Sequence, residues 1–518
     1  MKQLIAILFG FFNLSVIAQY SINWTASHEF PVSSPQFVKM IGPVNDSLLF
    51  VISGQASSLL NDESYFLETF NLNTQEKTVS QQLSLPYLKS KEKAIIEIIG
   101  IEQTVCIFYT DFNRSNGKNL LYVSQFNKKG RPVKENILLD SIEAYSASRR
   151  GVFNITTNPK KDKFIVFPVE PFEKATNQKI RYSIWNSELK PHTTRVFDLP
   201  YKAREVELTQ LDLGEDENAY FLIKITDLFK RWSPGLPNFK YVMIESVSNK
   251  KEIKEYEIEI PNKSISDIAF RLDSNNLNIM GLYSDNAKAQ DESSGFFYIN
   301  INTDLRKIIK SSFSPYPYLL KAAFLNENQL EKGKELDEFF VKSFLPKKDG
   351  SSSFIIEQYL FREICTTDMR TGIINCQQNY YYNDLIEINL DPNGKFKSYN
   401  IINKAQYSST SSCLDLSFLG LTDGQNNYFL FYDNNRNPNE MQARIEKLKT
   451  FEEGERGKFL SVKVDNENIT SEELSLELDK SENLLVRECV KVDDSSYLVQ
   501  AGNKRYYRFG VLKLERKK

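Results

Sequence analysis

Histidine is almost missing from this chain: His28 and His192 are the only two in 518 residues. They sit in polar contexts, SHEF and KPHTT. Two imidazoles cannot build the usual histidine-rich zinc site. Cysteine is sparse as well, with five residues, and the paired short spacings of an all-cysteine zinc site are absent. No G-x-S-x-G elbow and no Walker loop occurs, so neither a cofactor nor a metal is expected and no catalytic residue is assigned. Charge of one sign is lacking too. Lys plus Arg is 65 and Asp plus Glu is 67, a formal net charge of −2. This near-balance leaves no basic footprint for nucleic acid and no polybasic membrane patch. Beyond the first residues, no apolar run is long and uncharged enough to span a bilayer, which takes about 20 residues.

The N-terminus reads as a targeting segment. Lys2 supplies the positive region, Leu4 to Ile17 the apolar stretch, and Val16-Ile17-Ala18 the small-residue exit before Gln19. Residues 1–18 are therefore expected to be a signal peptide and 19–518 a single exported domain, in the periplasm, at the cell surface or outside the cell. Export makes disulfides permissible. Cys365 and Cys376 flank a polar, Gly-containing turn and are read as a bond across a loop or hairpin. Cys106 and Cys489 lie in apolar runs and are expected in the core. Cys413 is left unplaced.

What the chain has in abundance is aromatic and β-branched residues in short runs, separated by Asn, Asp, Gly and Ser clusters. Examples are DSLLFVIS (46–53), KFIVFPV (163–169) and GFFYININ (295–302). That is the signature of many short strands joined by tight turns. The runs come in fours. The clearest groups start at 94, 266 and 412, and weaker ones cover 36–86, 150–199, 204–260 and 336–402. The last, 483–518, offers three runs, while the N-terminus offers an orphan, YSINWTASHEF. Three strands at one end and one at the other suit a ring that closes on itself, leaving no open sheet edge. The expectation is an all-β, β-propeller-like fold of seven or eight four-stranded blades closed by the N-terminal strand. A short helical insertion is expected near 317–340, where Leu319, Leu320, Ala323, Phe324 and Leu330 recur at helical period. A pair of β-sandwiches is the competing architecture.

Several elements of the second half stand as NIMGLYSDNAKAQDESSGFFYININTD, KSFLPKKDGSSSFIIEQYLF, YNDLIEINLDPNGKFKSYNIINKAQ and LSFLGLTDGQNNYFLFYDNNRN. In order and spacing this region, about 265–440, resembles large secreted proteins of Bacteroidetes-type bacteria. The resemblance implies a signal-bearing, propeller-like exported protein and carries over no activity.

One short pattern recurs at strand ends: Asp, then a basic residue at the third place. It occurs as Asp111 and Arg114, Asp227 and Lys230, Asp285 and Lys288, and Asp433 and Arg436. If the groups are blades, all four follow a second strand and emerge on one rim, forming a candidate binding surface. The alternative reading is that each Asp accepts local N–H groups in its turn beside a solvated ion pair worth about 0–1 kcal/mol. Glu357 stands inside an apolar run, and Tyr380-Tyr381-Tyr382 could stack on sugar rings. The oxygen-rich stretch from Asp433 to Glu440 matches no complete calcium loop, and Arg436 within it opposes a cation. The function expected is that of a monomeric binding or scaffolding protein contacting a protein or glycan at the cell envelope. The alternative is a carbohydrate-active hydrolase or lyase with a central-pocket site.

Overall fold

A computed structural model describes residues 19–515, apart from 32–33, 45–46, 58–59, 86–92, 145, 147, 172–175, 228–236, 249–251, 274, 287–290, 368–369, 371–373, 442–443, 445–447, 466–467, 480 and 504. The segment 1–18, read as a signal peptide, lies outside the described residues, as do Lys230 and Lys288.

Eight sheets of four or more strands follow one another along the described chain. They occupy 34–82, 93–143, 152–202, 206–258, 264–315, 339–402, 419–473 and 483–515, and are called first to eighth below. Within each of the first seven, successive strands pair antiparallel in chain order. The middle strands read as unbroken apolar runs because both faces are covered: Asn427–Asp433 is buried throughout, and so is Gly295–Asn302 up to its last residue. The fourth strands alternate, as Pro191–Lys202 does, because one face meets solvent.

The sheets form a closed ring. The first strands of sheets one to seven touch each other in chain order, and Val490–Asp493 of the eighth touches Ser34–Val44 of the first. Eight apolar clusters fill the gaps between neighbouring sheets. One joins Ile41, Val51 and Leu67 of the first sheet to Ile98, Val105 and Phe126 of the second. Another joins Met40, Ile52 and Phe70 of the first to Leu498, Tyr507 and Phe509 of the eighth. The remaining six fill the other gaps. Packing of each sheet against both its neighbours rules out separate sandwiches.

Closure is made by the N-terminus. Gln19–Trp24 pairs antiparallel with Tyr506–Glu515, placing Ile22 opposite Leu512 and Trp24 opposite Gly510. The indole lies so close that a Cβ on Gly510 would stand 2.8 Å from Trp24 Cε3. Trp24 Nε1 donates to the Leu476 carbonyl, in the connection just after the seventh sheet, at 2.8 Å, tying the closing strand to that connection.

Polar bonds cross the gaps as well. Glu68, Glu245 and Glu387 stand on third strands and are at most 1 % exposed. Glu68 accepts from Tyr507 Oη at 2.9 Å, Glu245 from Arg306 Nε at 3.4 Å, and Glu387 from Asn427 Nδ2 at 2.5 Å. Each partner belongs to an adjacent sheet.

The expected helical insertion is two short helices, Tyr318–Ala322 and Glu327–Glu331. Its last residues are strand instead, beginning at Leu336–Asp337. Pro317 starts the first helix, and Asn326 caps the second through a capping box with Gln329.

Because strands alternate direction, the ring has two unlike rims. One carries the turns between first and second and between third and fourth strands; here it is called the turn rim. The other, the loop rim, carries the connections between second and third strands and between sheets.

Candidate functional site

The loop rim carries the candidate site. Asp111 lies near the end of Thr104–Asn113, and Arg114 follows in a short turn. Asp227 follows Ala219–Thr226, Asp285 follows Asn276–Ser284, and Asp433 ends Asn427–Asp433. All four acidic groups thus sit after a second strand, but in the second, fourth, fifth and seventh sheets. Only those of the fourth and fifth are neighbours.

Beside Asp227, between the fourth and fifth sheets, lies a cleft of about 370 Å³, lined by Asp227, Phe239, Lys240, Tyr241, Ile258 and Lys263 among others. Lys263 pairs with Asp285, and its Nζ stands 5.8 Å from the Tyr283 ring centroid. Lys224 Nζ stands over the Phe239 ring at 4.4 Å. Burial pushes the Tyr241 and Tyr283 phenols up to about 12, so both stay neutral donors. The cleft therefore offers aromatic faces, ammonium groups and carboxylates together: the equipment for stacking and polar capture.

Asp433 departs from the expectation of a surface pair with Arg436. It is 1 % exposed and faces Arg444 in a buried ion pair. Asn437 Nδ2 also donates to its Oδ1 at 2.7 Å, while Arg436 is exposed. Arg444 further donates to the carbonyls of Asn403 at 2.6 Å and Pro438 at 3.1 Å. Asp433 thus holds the 434–457 connection in place and offers nothing to a ligand.

Glu357 is likewise internal. Lys404 Nζ donates to it at 2.7 Å, and Ser417 Oγ stands 3.0 and 2.9 Å from its two oxygens. Lys404 also donates to the Tyr382 carbonyl at 3.0 Å and Gln406 Oε1 at 3.2 Å. Burial pushes the Lys404 pKa down, against the pull of Glu357. This network pins the connection between the sixth and seventh sheets.

The most prominent feature of the loop rim is a ribbon. Ser352–Thr367 and Ile374–Leu390 pair over 15 positions, from Ser352 opposite Leu390 to Thr367 opposite Ile374. Their outer halves rise beyond the sheet. Cys365 and Cys376 face each other there and form a disulfide. Arg362 grips Glu338 with both nitrogens, at 2.5 and 2.9 Å, and Tyr381 packs on Tyr407. Tyr359 and Tyr382, then Phe361 and Tyr380, stack up one face with ring centroids 4.9 and 5.1 Å apart. Phe361, Ile364 and Ile374 are exposed. Cys106 and Cys413 are buried free thiols, and Cys489 is a partly buried one.

Two carboxyl groups are raised to about 6, chiefly by burial: Asp212 and Asp415. Asp212 belongs to the fourth sheet and Asp415 precedes the seventh, so they form no acid–base pair.

Sequence reasoning missed Lys404, Ser417 and Arg444, which lie in connections between strands and carry no local pattern. It also missed Glu68, Glu245 and Glu387. Their signal was present: each is a lone carboxylate inside an apolar run, as in SYFLETFNL, KYVMIESV and DLIEINL.

No protein-family model matches the chain, and no curated protein sequence matches it. Among solved structures, the WD40 domain of SCAP from fission yeast is similar at 11 % identity and TM-score 0.37, covering 96 % of this chain and 98 % of that one. The β-propeller domain of the Trilobed protease from Pyrococcus furiosus is similar at 8 % identity and TM-score 0.26, covering 74 % and 96 %. Prolyl oligopeptidase B from Galerina marginata is similar at 7 % identity and TM-score 0.38, covering 90 % and 55 %. The class follows from the chain's own topology: it is a β-propeller, closed between its first described strand and its last.

Proposed function

We propose that this chain is an exported binding or scaffolding protein that presents its loop rim to a protein or glycan of the cell envelope. The carrying observation is the inequality of the rims. The disulfide-bonded ribbon, the helical insertion, the 434–457 connection and the aromatic cleft all gather on one side. Loops held by a rigid scaffold are where recognition concentrates. Export is supported by the layout of residues 1–18 and by a disulfide, which persists in oxidising compartments.

The test uses affinity capture from an envelope fraction, comparing the native chain with Asp227→Lys/Asp285→Lys and with Phe239→Ala. Each variant should melt close to the native temperature and recover much less of whatever the native chain retains. Undiminished recovery by both would overturn the reading. N-terminal sequencing of the secreted or periplasmic protein should begin at Gln19; a protein starting at Met1 would overturn the export half.

A further inference from the structure

The opposite rim holds a site that the proposed function does not use. Between the second and third sheets lies a cleft of about 860 Å³ whose lining includes Lys134, Lys160, Lys161 and Lys190 together with Glu102 and Glu188. Three of these four have partners. Lys134 donates to the Glu188 carbonyl, Lys190 pairs with the Glu188 carboxylate at 2.6 Å, and Lys160 pairs with Glu215 at 3.6 Å. Lys161 is different. Its turn is anchored, since its N–H donates to Asn158 O at 3.0 Å and its carbonyl accepts from Glu102 N at 2.8 Å. Its ammonium has no acceptor among the described residues. Burial lowers its pKa, and no neighbouring carboxylate offsets that.

The side chain is also given room. Its Nζ reaches Gly42 of the first sheet, where a Cβ would stand 3.2 Å away, and Gly42 holds a φ of +91° that disfavours any side chain. A partly desolvated ammonium without a partner is unfavourable, and a negative oxygen is the group that completes it. Lys134, Lys160 and Lys190 line the same cleft, and each ammonium has three donors, so beyond the partners named they can serve an occupant that carries several such oxygens. The geometry points to a binding site for a multivalent oxyanion, a phosphorylated or sulfated group seated on Lys161.

The experiment is a thermal-shift and calorimetric titration of the full chain in chloride buffer, with inorganic phosphate and with a sulfated tetrasaccharide as probes. The native chain should show saturable stabilisation by at least one of them. Lys161→Met should weaken that binding tenfold or more. Without anion it should melt no lower than the native chain, because it removes a half-buried charge that had no acceptor. Tighter capture of the tetrasaccharide would assign the oxyanion to a polymer, and equal or tighter capture of phosphate to a free ion. An unchanged response in Lys161→Met, or no saturable stabilisation of the native chain by either probe, would overturn the proposal. A variant that melts lower while keeping the response would show Lys161 to be structural, which also overturns it.

Discussion

The two rims of this propeller are built from the same four-stranded unit and solve different problems. On the turn rim the chain reverses within a few residues, and one device recurs. Asn127, Asn186 and Asp391 each accept N–H groups two and four residues on, at 2.8 to 3.2 Å. Each is followed three places later by a positive φ, at Gly130, Leu189 and Gly394. A side-chain oxygen satisfying its own turn is local chemistry, so it can be repeated sheet after sheet. On the loop rim several connections are long, those entering and crossing the seventh sheet above all. They are held by buried ions instead: Lys404 with Glu357, both 0 % exposed, and Arg444 with Asp433. A buried pair adds little net stability, because desolvation offsets the attraction. What it does is specify where a long loop goes. The repetitive rim is thus specified by its turns, and the irregular rim by partners far apart in sequence.

The sharpest way to break this contrast is to remove one member of a buried pair. Lys404→Met leaves the Glu357 carboxylate enclosed, with Ser417 to accept from and the Lys342 ammonium no nearer than 4.0 Å. A loss of about 3–5 kcal/mol is expected, measured by urea unfolding. Glu357→Gln combined with Lys404→Met should lose clearly less than the single change, since no orphan charge remains. A single-variant loss below about 1 kcal/mol would mean that water reaches the pair.

A smaller effect tests a loop-rim connection by pH. Asp415, in the connection entering the seventh sheet, accepts from Gly454 N at 2.9 Å and Asn483 Nδ2 at 3.2 Å through Oδ2. Its buried Oδ1 has no partner among the described residues. Burial raises its pKa from 3.8 to about 6. The folded chain therefore holds this proton more tightly than the unfolded one. Asp415 is most favourable to folding at low pH, and stability falls as pH rises from about 4 to 6, by up to about 3 kcal/mol. Asp415→Asn should flatten that decline, read as the difference in urea midpoint between pH 4 and pH 7. Asp212, raised to about 6 in the same direction, keeps a residual slope in the variant. An unchanged slope would show that Asp415 is hydrated.

The fold was largely legible in the sequence because its signals are local. The group at 94–140 is the sheet at 93–143, and that at 204–260 is the sheet at 206–258. The orphan run around Trp24 pairs with the run ending near Leu514, as three strands at one end and one at the other required. The loop rim was legible only in part. Asp227 does border a cleft, but Asp285 reaches it only through its pair with Lys263, 22 residues before it, and Asp433 turns inward to Arg444. An Asp with a basic residue three places on looks the same in sequence whether it faces water or an arginine 11 residues away. Long-range pairing has no periodicity to read, which is why the Glu357–Lys404 network went unseen while the strand carrying Glu357 did not.

On the turn rim the expected losses are modest. Asn186→Ala removes the acceptor for Glu188 N and Lys190 N but leaves the turn exposed, so water can replace the bonds. A loss of about 1 kcal/mol is expected, again by urea unfolding. Asn127→Ala should behave alike, because the turn is the same. Unequal losses would show that these turns are not interchangeable.

The ribbon should give the smallest effect of all, and it sharpens the contrast most. In the loop-entropy picture a disulfide closing a loop of this length is worth about 3 kcal/mol, because it restricts the unfolded chain. That figure assumes a native state that stays rigid without the bond. The ribbon beyond Phe361 buries little, and its base is gripped separately by Glu338 and Tyr407. Breaking the bond therefore frees the outer ribbon in the folded chain almost as much as in the unfolded one, and the two gains offset. Cys365→Ser/Cys376→Ser should lower global stability by about 1 kcal/mol or less. Amide exchange should accelerate in the outer ribbon, from Glu363 to Gln378, and stay unchanged at Phe354 and Ile386 in the sheet below. A loss near 3 kcal/mol with slow exchange at the tip would show the ribbon to be rigid in its own right. The loop rim would then be as firmly specified locally as the turn rim opposite.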